Sequence, residues 1–351
     1  MKILYFGTYD PNYSRNRVLM SGLRDNGVEI LECNSREAGL KKYWSLYRQH
    51  KKLRYSYDIL FVGFSGHSVV WFAKLLTKKK IVFDAFVSQY LSNIVDRGLY
   101  SPKSLFALYY WLLDKISCSL ADIILLDTNA QINYFIKTFK LPPLKFKRIF
   151  VGSDLAGARS RVQDTIKGKF IVHWHGYIVP FDGINVILEA AGLLKNEPGI
   201  FFRIITRLDS KARRLQKLIT LKSLSNIEII GEVSSRELVT YLDASDICLG
   251  VFGDNEKASL VIPNKIYEAV TRGRPVITGA QQVLSELFEE GVGLITVEPN
   301  NATALANKLL ECYGNSERCK EIGQQGLEVY DKELTPRILG KQLLLIIKEI
   351  L

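Results

Sequence analysis

A single carboxylate, Glu268, interrupts the apolar face of "IPNKIYEAVTRGRPVIT" (262–278). On a helix such a group ordinarily faces water or caps a terminus, but it is also suited to accept charge-assisted hydrogen bonds from a polar ligand. Other side chains able to do chemistry sit in short loops behind apolar runs. "GTYDPNYSRN" (7–16) carries Gly7 and Arg15, an anion contact or simply part of a turn; "GFSGHS" (63–68) carries His67; "DAFVSQY" (84–90) carries Asp84 and Ser88. A histidine in a glycine-rich loop after a strand is a candidate for proton transfer, as is the nearby acid, although a lone histidine is more often structural. In the second half "HWHGYIVPFDG" (173–183) runs through Gly176 and Gly183 into the apolar "INVILEAAGLL". A helix N-terminus there offers free N–H groups to a phosphate. His173 and His175 alternate along that run, but no third ligand is evident, so no metal is expected. Nor does Asp-x-Asp occur, which argues against a metal-bridged diphosphate, and the first loop lacks the Gly-x-Gly-x-x-Gly dinucleotide fingerprint.

What must position these groups is a regular alternation of strand-like runs and helix-length segments. "KILYF", "VEILEC", "DILFVG", "KIVFDAF", "DIILLD" and "RIFVG" precede about residue 160; "KFIVHW", "FFRIIT", "IEIIG", "DICLGVF", "RPVIT" and "GLITV" follow it. Strict alternation predicts parallel sheets covered by helices. The fold class expected is therefore α/β, two doubly wound Rossmann-like domains facing a cleft, with ligands at the carboxyl ends of the strands. The boundaries expected are 1–160 and 161–333, joined by "SDLAGARSRVQDTIKGK" (153–169), with 334–351 as a terminal amphipathic helix. Around Glu268, Pro263 suits a helix start, Gly273 a helix end, and "RPVIT" a buried strand.

Composition narrows the setting. The chain has 351 residues, 47% hydrophobic and 24% charged, as in globular proteins. "MKILYF" reads as a strand and not as a leader, no apolar run reaches the ~18 residues that span a bilayer, and five cysteines without a Cys-x-x-Cys pair fit buried thiols in a reducing cytoplasm. The net charge of +11 is uneven: residues 1–165 hold 25 Lys and Arg against 13 Asp and Glu, so the excess lies wholly in the first half. "KKYWSLYRQHKKLR" (41–54), "KKK" (78–80) and "KFKR" (145–148) are its clusters. An evenly solvated basic face would explain them, as would an anionic partner. No nucleic-acid motif is present, so an anionic membrane surface is the expected partner and nucleic acid is not. "VVWFAKLL" (69–76) and "LFALYYWLL" (105–113), flanked by lysines, suit interfacial helices or ordinary core helices.

"HGYIVPFDGINVILEAAGLL", the stretch from "IIGEVSSRELV" to "GRPVITG" and "LFEEGVGLITVEPNNATALANKLLE" resemble the donor domain of retaining GT-B glycosyltransferases, family 4. Pro-x-Lys-x-x-Glu followed by Gly-x-Pro carries most of the likeness; the first half resembles the acceptor domain more loosely. The resemblance implies that Glu268 grips the ribose hydroxyls of a nucleotide sugar. It makes Lys265, Asn264, Gly176, Tyr177 and Arg207 donor-binding candidates, Gly7, Arg15 and Ser88 acceptor-binding candidates, and Asp84 and His67 catalytic ones. It implies metal-independent transfer with retention and no cofactor beyond the nucleotide sugar; a glycan or lipid-linked acceptor at the inner face of a membrane is expected from the basic first half and its apolar, aromatic segments. The family's second glutamate falls on Leu260, and its arginine and lysine fall on Tyr177 and Asp182. Lys265, Arg207 or Lys257 are replacement cations and Asp254 or Glu256 replacement acids. These departures keep open a non-catalytic, nucleotide-sugar-binding partner subunit; a two-domain solute-binding protein is a third reading.

Overall fold

The computed structural model describes residues 1–157, 166, 168–289 and 291–351, so part of the stretch read as a linker lies outside the described residues. The chain divides into two compact units, Met1–Asp154 with Glu333–Leu351, and Leu155–Lys332.

The first unit runs β1 (Lys2–Gly7), α1 (Ser14–Asp25), β2 (Glu29–Asn34), α2 (Lys41–Leu53), β3 (Ile59–Val62) and α3 (Val70–Leu76). It continues with β4 (Ile81–Phe86), α4 (Leu105–Leu120), β5 (Ile123–Leu126), α5 (Asn129–Phe139) and β6 (Phe146–Arg148). The second unit runs β7 (Phe170–His175), α6 (Ile184–Leu193), β8 (Ile200–Ile205), α7 (Ser210–Leu221), β9 (Ile227–Ile230) and α8 (Ser235–Asp243). After these come β10 (Ile247–Leu249), α9 (Asn264–Thr271), β11 (Val276–Gly279), β12 (Ile295–Val297), α10 (Ala302–Gly314) and α11 (Ser316–Val329). The last helix, α12 (Pro336–Lys348), belongs to the first unit.

Both sheets are parallel, in the orders β2-β1-β3-β4-β5-β6 and β12-β11-β10-β7-β8-β9. Each reverses direction once, between β1 and β3 in the first and between β7 and β10 in the second, and open α/β sheets bind ligands beside such switch points. A glycine with a backbone that other residues avoid marks each: Gly7 ends β1 at φ 144° and Gly176 follows β7 at φ 139°.

Local chemistry explains the strands. Three of them follow an aspartate, and in each case that residue locks the adjacent strand with two bonds. Asp58 accepts from the Lys2 N–H and donates its own N–H to the Lys2 carbonyl; Asp122 does the same with Ile81, and Asp246 with Ile171. The runs that follow are buried on both faces, as central parallel strands require. The sixth strand differs from expectation: "RIFVG" is mostly irregular and the strand is Phe146–Arg148, because the turn at Pro142 and Pro143 starts it earlier.

Helices are capped by Ser104 before α4, Thr128 before α5, Asp209 before α7, Ser234 with Glu237 at α8 and Thr335 before α12. The terminal helix packs along α1 at glycines: a Cβ on Gly22 would lie 1.9 Å from the Pro336 carbonyl oxygen, and one on Gly340 2.0 Å from the Gly22 carbonyl carbon. Each unit keeps its own core, around Phe6, Leu60, Phe83 and Phe135 in the first and Trp174, Ile187, Phe202 and Leu305 in the second.

Candidate functional site

In the second unit, α9 presents two ionisable side chains to the end of β7. It starts after Pro263, in extended backbone as its cap, and stops where Gly273 turns left-handed at φ 62°. Glu268, with a side chain 16% exposed, bonds through Oε2 to His175 Nε2 at 2.7 Å, and His175 Nδ1 meets His173 Nε2 at 3.0 Å. Burial drives the His173 pKa well below its ordinary value, so this ring is neutral. With His173 Nδ1 unbonded, a consistent proton placement has both rings carry the proton on Nε2, His173 donating to His175 and His175 to the carboxylate. The two histidines read from sequence as a discounted metal pair thus form a relay that orients Glu268. Among the described residues no group of three or more His, Cys, Asp or Glu could hold a metal ion.

One turn earlier, buried Lys265 makes an ion pair with buried Asp182 and lies 4.5 Å from the centroid of the Trp174 ring. Asp182 also accepts from the Val179 N–H at 3.2 Å, which pins the loop behind Gly176. A Cβ at Gly176 would come within 3.3 Å of Lys265 Cε, a tight contact added to the strain that φ 139° imposes on any other residue. Tyr177 is exposed and donates to Glu232 Oε1 at 2.8 Å; Arg207 is exposed at the end of β8; Asn264 is the half-buried first residue of α9. Lys257 lies over the Phe181 ring, Leu260 is half-buried, and Asp254 and Glu256 face solvent. Glu268, Lys265, Asn264, Gly176 and Tyr177 therefore gather at the carboxyl ends of β7 and β10. The orientation of Glu268 by His175 and the neutralisation of Lys265 by Asp182 were not foreseen; spacing of His173 and His175 on one strand face was the only signal of the first, and the second, between residues 83 positions apart, left none.

The first unit places several of the expected site residues in its interior. Arg15 is fully buried: Nε and one terminal nitrogen hold Asp84 at 2.9–3.2 Å, and the other donates to the carbonyls of Ile149 and Phe150 at 2.6 and 2.7 Å. As an acceptor-side anion contact it is fully committed, and Asp84, expected as catalytic, is its buried counter-charge. Ser88 is also enclosed, donating to Asp114 Oδ2 at 2.6 Å, while Asp114 on α4 further accepts from the N–H groups of Gln89 and Tyr90. His67, the other expected catalytic group, is 3% exposed with Nε2 3.6 Å from Asp114 Oδ1. Burial lowers its pKa to about 4 and raises that of Asp114 to about 7. Arg15 with Asp84 thus holds the segment after β6, Asp114 with Ser88 holds the loop after β4, and His67 packs against Asp114. Gly7 stands at the switch point, buried, with its carbonyl accepting from the Ser35 N–H at 3.1 Å.

Residues 169–315 match the family model of the glycosyl transferases group 1. WcaL of Salmonella typhimurium, named for glycosyl transfer in colanic acid biosynthesis, is 35% identical over 136 residues, which are 37% of this chain and 32% of that protein. The chain spans 32–42% of the length of the curated relatives it matches. Among solved structures, Anabaena Alr3699/HepE in complex with UDP and glucose aligns with a TM-score of 0.73 at 14% identity, covering 99% of this chain and 100% of that one. Sucrose-phosphate synthase from Thermosynechococcus elongatus aligns at 0.76 and 14% identity, over 99% and 98%. The fold is GT-B. Within the GT-B fold, the matched segment begins just before β7 and ends at the close of α10, and so encloses every residue gathered around Glu268.

Proposed function

We propose that the chain is a glycosyltransferase that moves a sugar from a nucleotide sugar, bound by the second unit, to a glycan or lipid-linked acceptor bound by the first, with retention and without metal or further cofactor. The observation that carries this is the Glu268 carboxylate, ordered by His175 beside Gly176 at the switch point of a segment matching glycosyl transferases group 1. Its second oxygen and the unshared lone pairs suit two vicinal ribose hydroxyls. The UDP in the Anabaena structure supports a uridine nucleotide as first donor to try.

No protein nucleophile is assigned. The departing phosphate takes the acceptor proton while the site steadies an oxocarbenium-like charge, so positioning dominates. Asp84 and His67 act in this reading from the interior, Asp84 by holding Arg15 and His67 by packing against Asp114. Attachment to the inner face of a membrane is part of the same proposal, supported by the basic excess of residues 1–165 and the apolar, aromatic segments beside its lysines.

The ion pair between Asp182 and Lys265 favours a second reading, because it cancels a cation that a diphosphate would use: a nucleotide-binding partner subunit without turnover. Calorimetry with UDP and UDP-sugars, combined with a mass-shift transfer and hydrolysis assay, separates the two. Binding with turnover is the expected result. Binding without turnover, with a partner glycosyltransferase supplied, selects the second reading; the absence of both removes the first.

A further inference from the structure

Helix α4 is turned outward relative to its hydrophobicity. Its buried side carries Ala107, Asp114, Ser117 and Cys118, whereas Leu105, Leu108, Tyr109, Leu112 and Ile116, three or four residues apart, are 38–83% exposed. Helix α3 packs beside it and exposes Trp71 and Leu75. Apolar surface grouped in this way marks a binding face. Exposed Lys103 precedes α4, Lys115 lies on it over the Trp111 ring, and exposed Lys78 follows α3, whereas Lys74 and Lys80 pair with Asp122 and Lys79 binds the Tyr57 carbonyl.

Between the two helices lies a cavity of about 260 Å³ lined by His67, Trp71, Tyr109, Leu112, Ile116 and Ser117. Trp71, Tyr109, Leu112 and Ile116 are exposed and form its mouth; His67 and Ser117 are buried and form its floor. The space is several times the ~30 Å³ share of one water, yet its wall is apolar and offers water too few partners. Burial keeps His67 uncharged above about pH 4, and Asp114, whose carboxyl lies against His67 with its pKa raised to about 7, is not among the residues that line the cavity. The Ser117 hydroxyl is turned to the Asp114 carbonyl of its own helix at 3.1 Å.

We propose that this cavity receives the single hydrocarbon chain of an amphiphilic phosphate, the lipid anchor of the acceptor. The apolar wall takes the chain, Lys78, Lys103 and Lys115 on the flanking segments complement the phosphate, and the segment from Gly66 to Val69 behind β3 joins the cavity to the carboxyl end of the first sheet. The proposal rests on the acceptor being lipid-linked.

The test is calorimetry of the full chain with octyl phosphate below its micelle threshold. Saturable binding to wild type is expected, with Ser117→Leu, which fills the floor, weakening it at least tenfold. Ile116→Trp narrows the mouth from an exposed position and is expected to do the same, which keeps the test decisive if Ser117→Leu fails to fold. Soluble dihexanoyl phosphatidylglycerol, with two chains, is expected to bind at least tenfold more weakly. Equal affinity for the two amphiphiles would overturn the acceptor-anchor assignment in favour of bulk phospholipid. Unchanged octyl phosphate binding in both folded variants, or none in wild type, would overturn the cavity as a site. Turnover on a water-soluble glycan acceptor by a chain that ignores octyl phosphate would do so while leaving glycosyl transfer standing.

Discussion

Glu268 and Lys265 lie one helical turn apart and meet opposite fates, one oriented and the other neutralised. Losing two charge-assisted hydrogen bonds should cost roughly 2–4 kcal/mol of UDP affinity after water partly replaces them, so Glu268→Ala is expected to bind UDP at least tenfold more weakly while melting normally. His175→Ala should give a smaller loss, because the carboxylate remains but is no longer held; calorimetry on both variants checks the order. Asp182→Asn removes the charge facing Lys265 and is expected to tighten UDP binding, with a steeper salt dependence than wild type. Sequence made Glu268 visible because a carboxylate within an apolar helical face is uncommon. It could not reveal that Arg15 is spent on Asp84, since the partner lies 69 positions away and only folding brings the two together.

Helices and strands were largely legible, since buried parallel strands read as β-branched runs and the Asp that leads three of them marks their start. The outward face of α4 was not, because an apolar helix spells the same whether it is core or surface. The loops around α4 give a pH signature. His67, lowered by burial from 6.5 to about 4, contributes stability that is lost as pH falls through that window. Asp114, raised by burial from 3.8 to about 7, contributes stability that is lost as pH rises through its window. Urea melts at pH 4, 5, 6 and 7 should therefore show the advantage of wild type over His67→Phe shrinking toward acid and its advantage over Asp114→Asn shrinking toward neutrality. The contact of α12 with α1 allows a steric test. A Cβ 1.9 Å from the Pro336 oxygen cannot be accommodated, so Gly22→Leu is expected to release α12, lowering the melting temperature and opening the C-terminal segment to protease.

At the scale of the whole molecule, the basic excess and the apolar face of α4 share the first unit. Each lysine or arginine near an anionic leaflet contributes about 1 kcal/mol until salt screens it. Sedimentation with anionic but not neutral vesicles is expected, weakened by high salt and by Leu105→Asp, whose site is exposed and should tolerate the change. Indifference to both vesicle types at low salt would leave the basic face without a membrane role. The route of the chain has a consequence of another kind. The first unit is left at Asp154 and completed only from Glu333 onward. On a ribosome adding roughly 5–20 residues per second, α1 must wait on the order of ten to forty seconds, while residues 155–332 are made, before α12 can cover it. The second unit, continuous in sequence, meets no such delay. Birth order and folding order are therefore reversed: the half synthesised later is the first able to finish, and the nascent first half spends the interval with the face of α1 around Gly22 bare, open to chaperones.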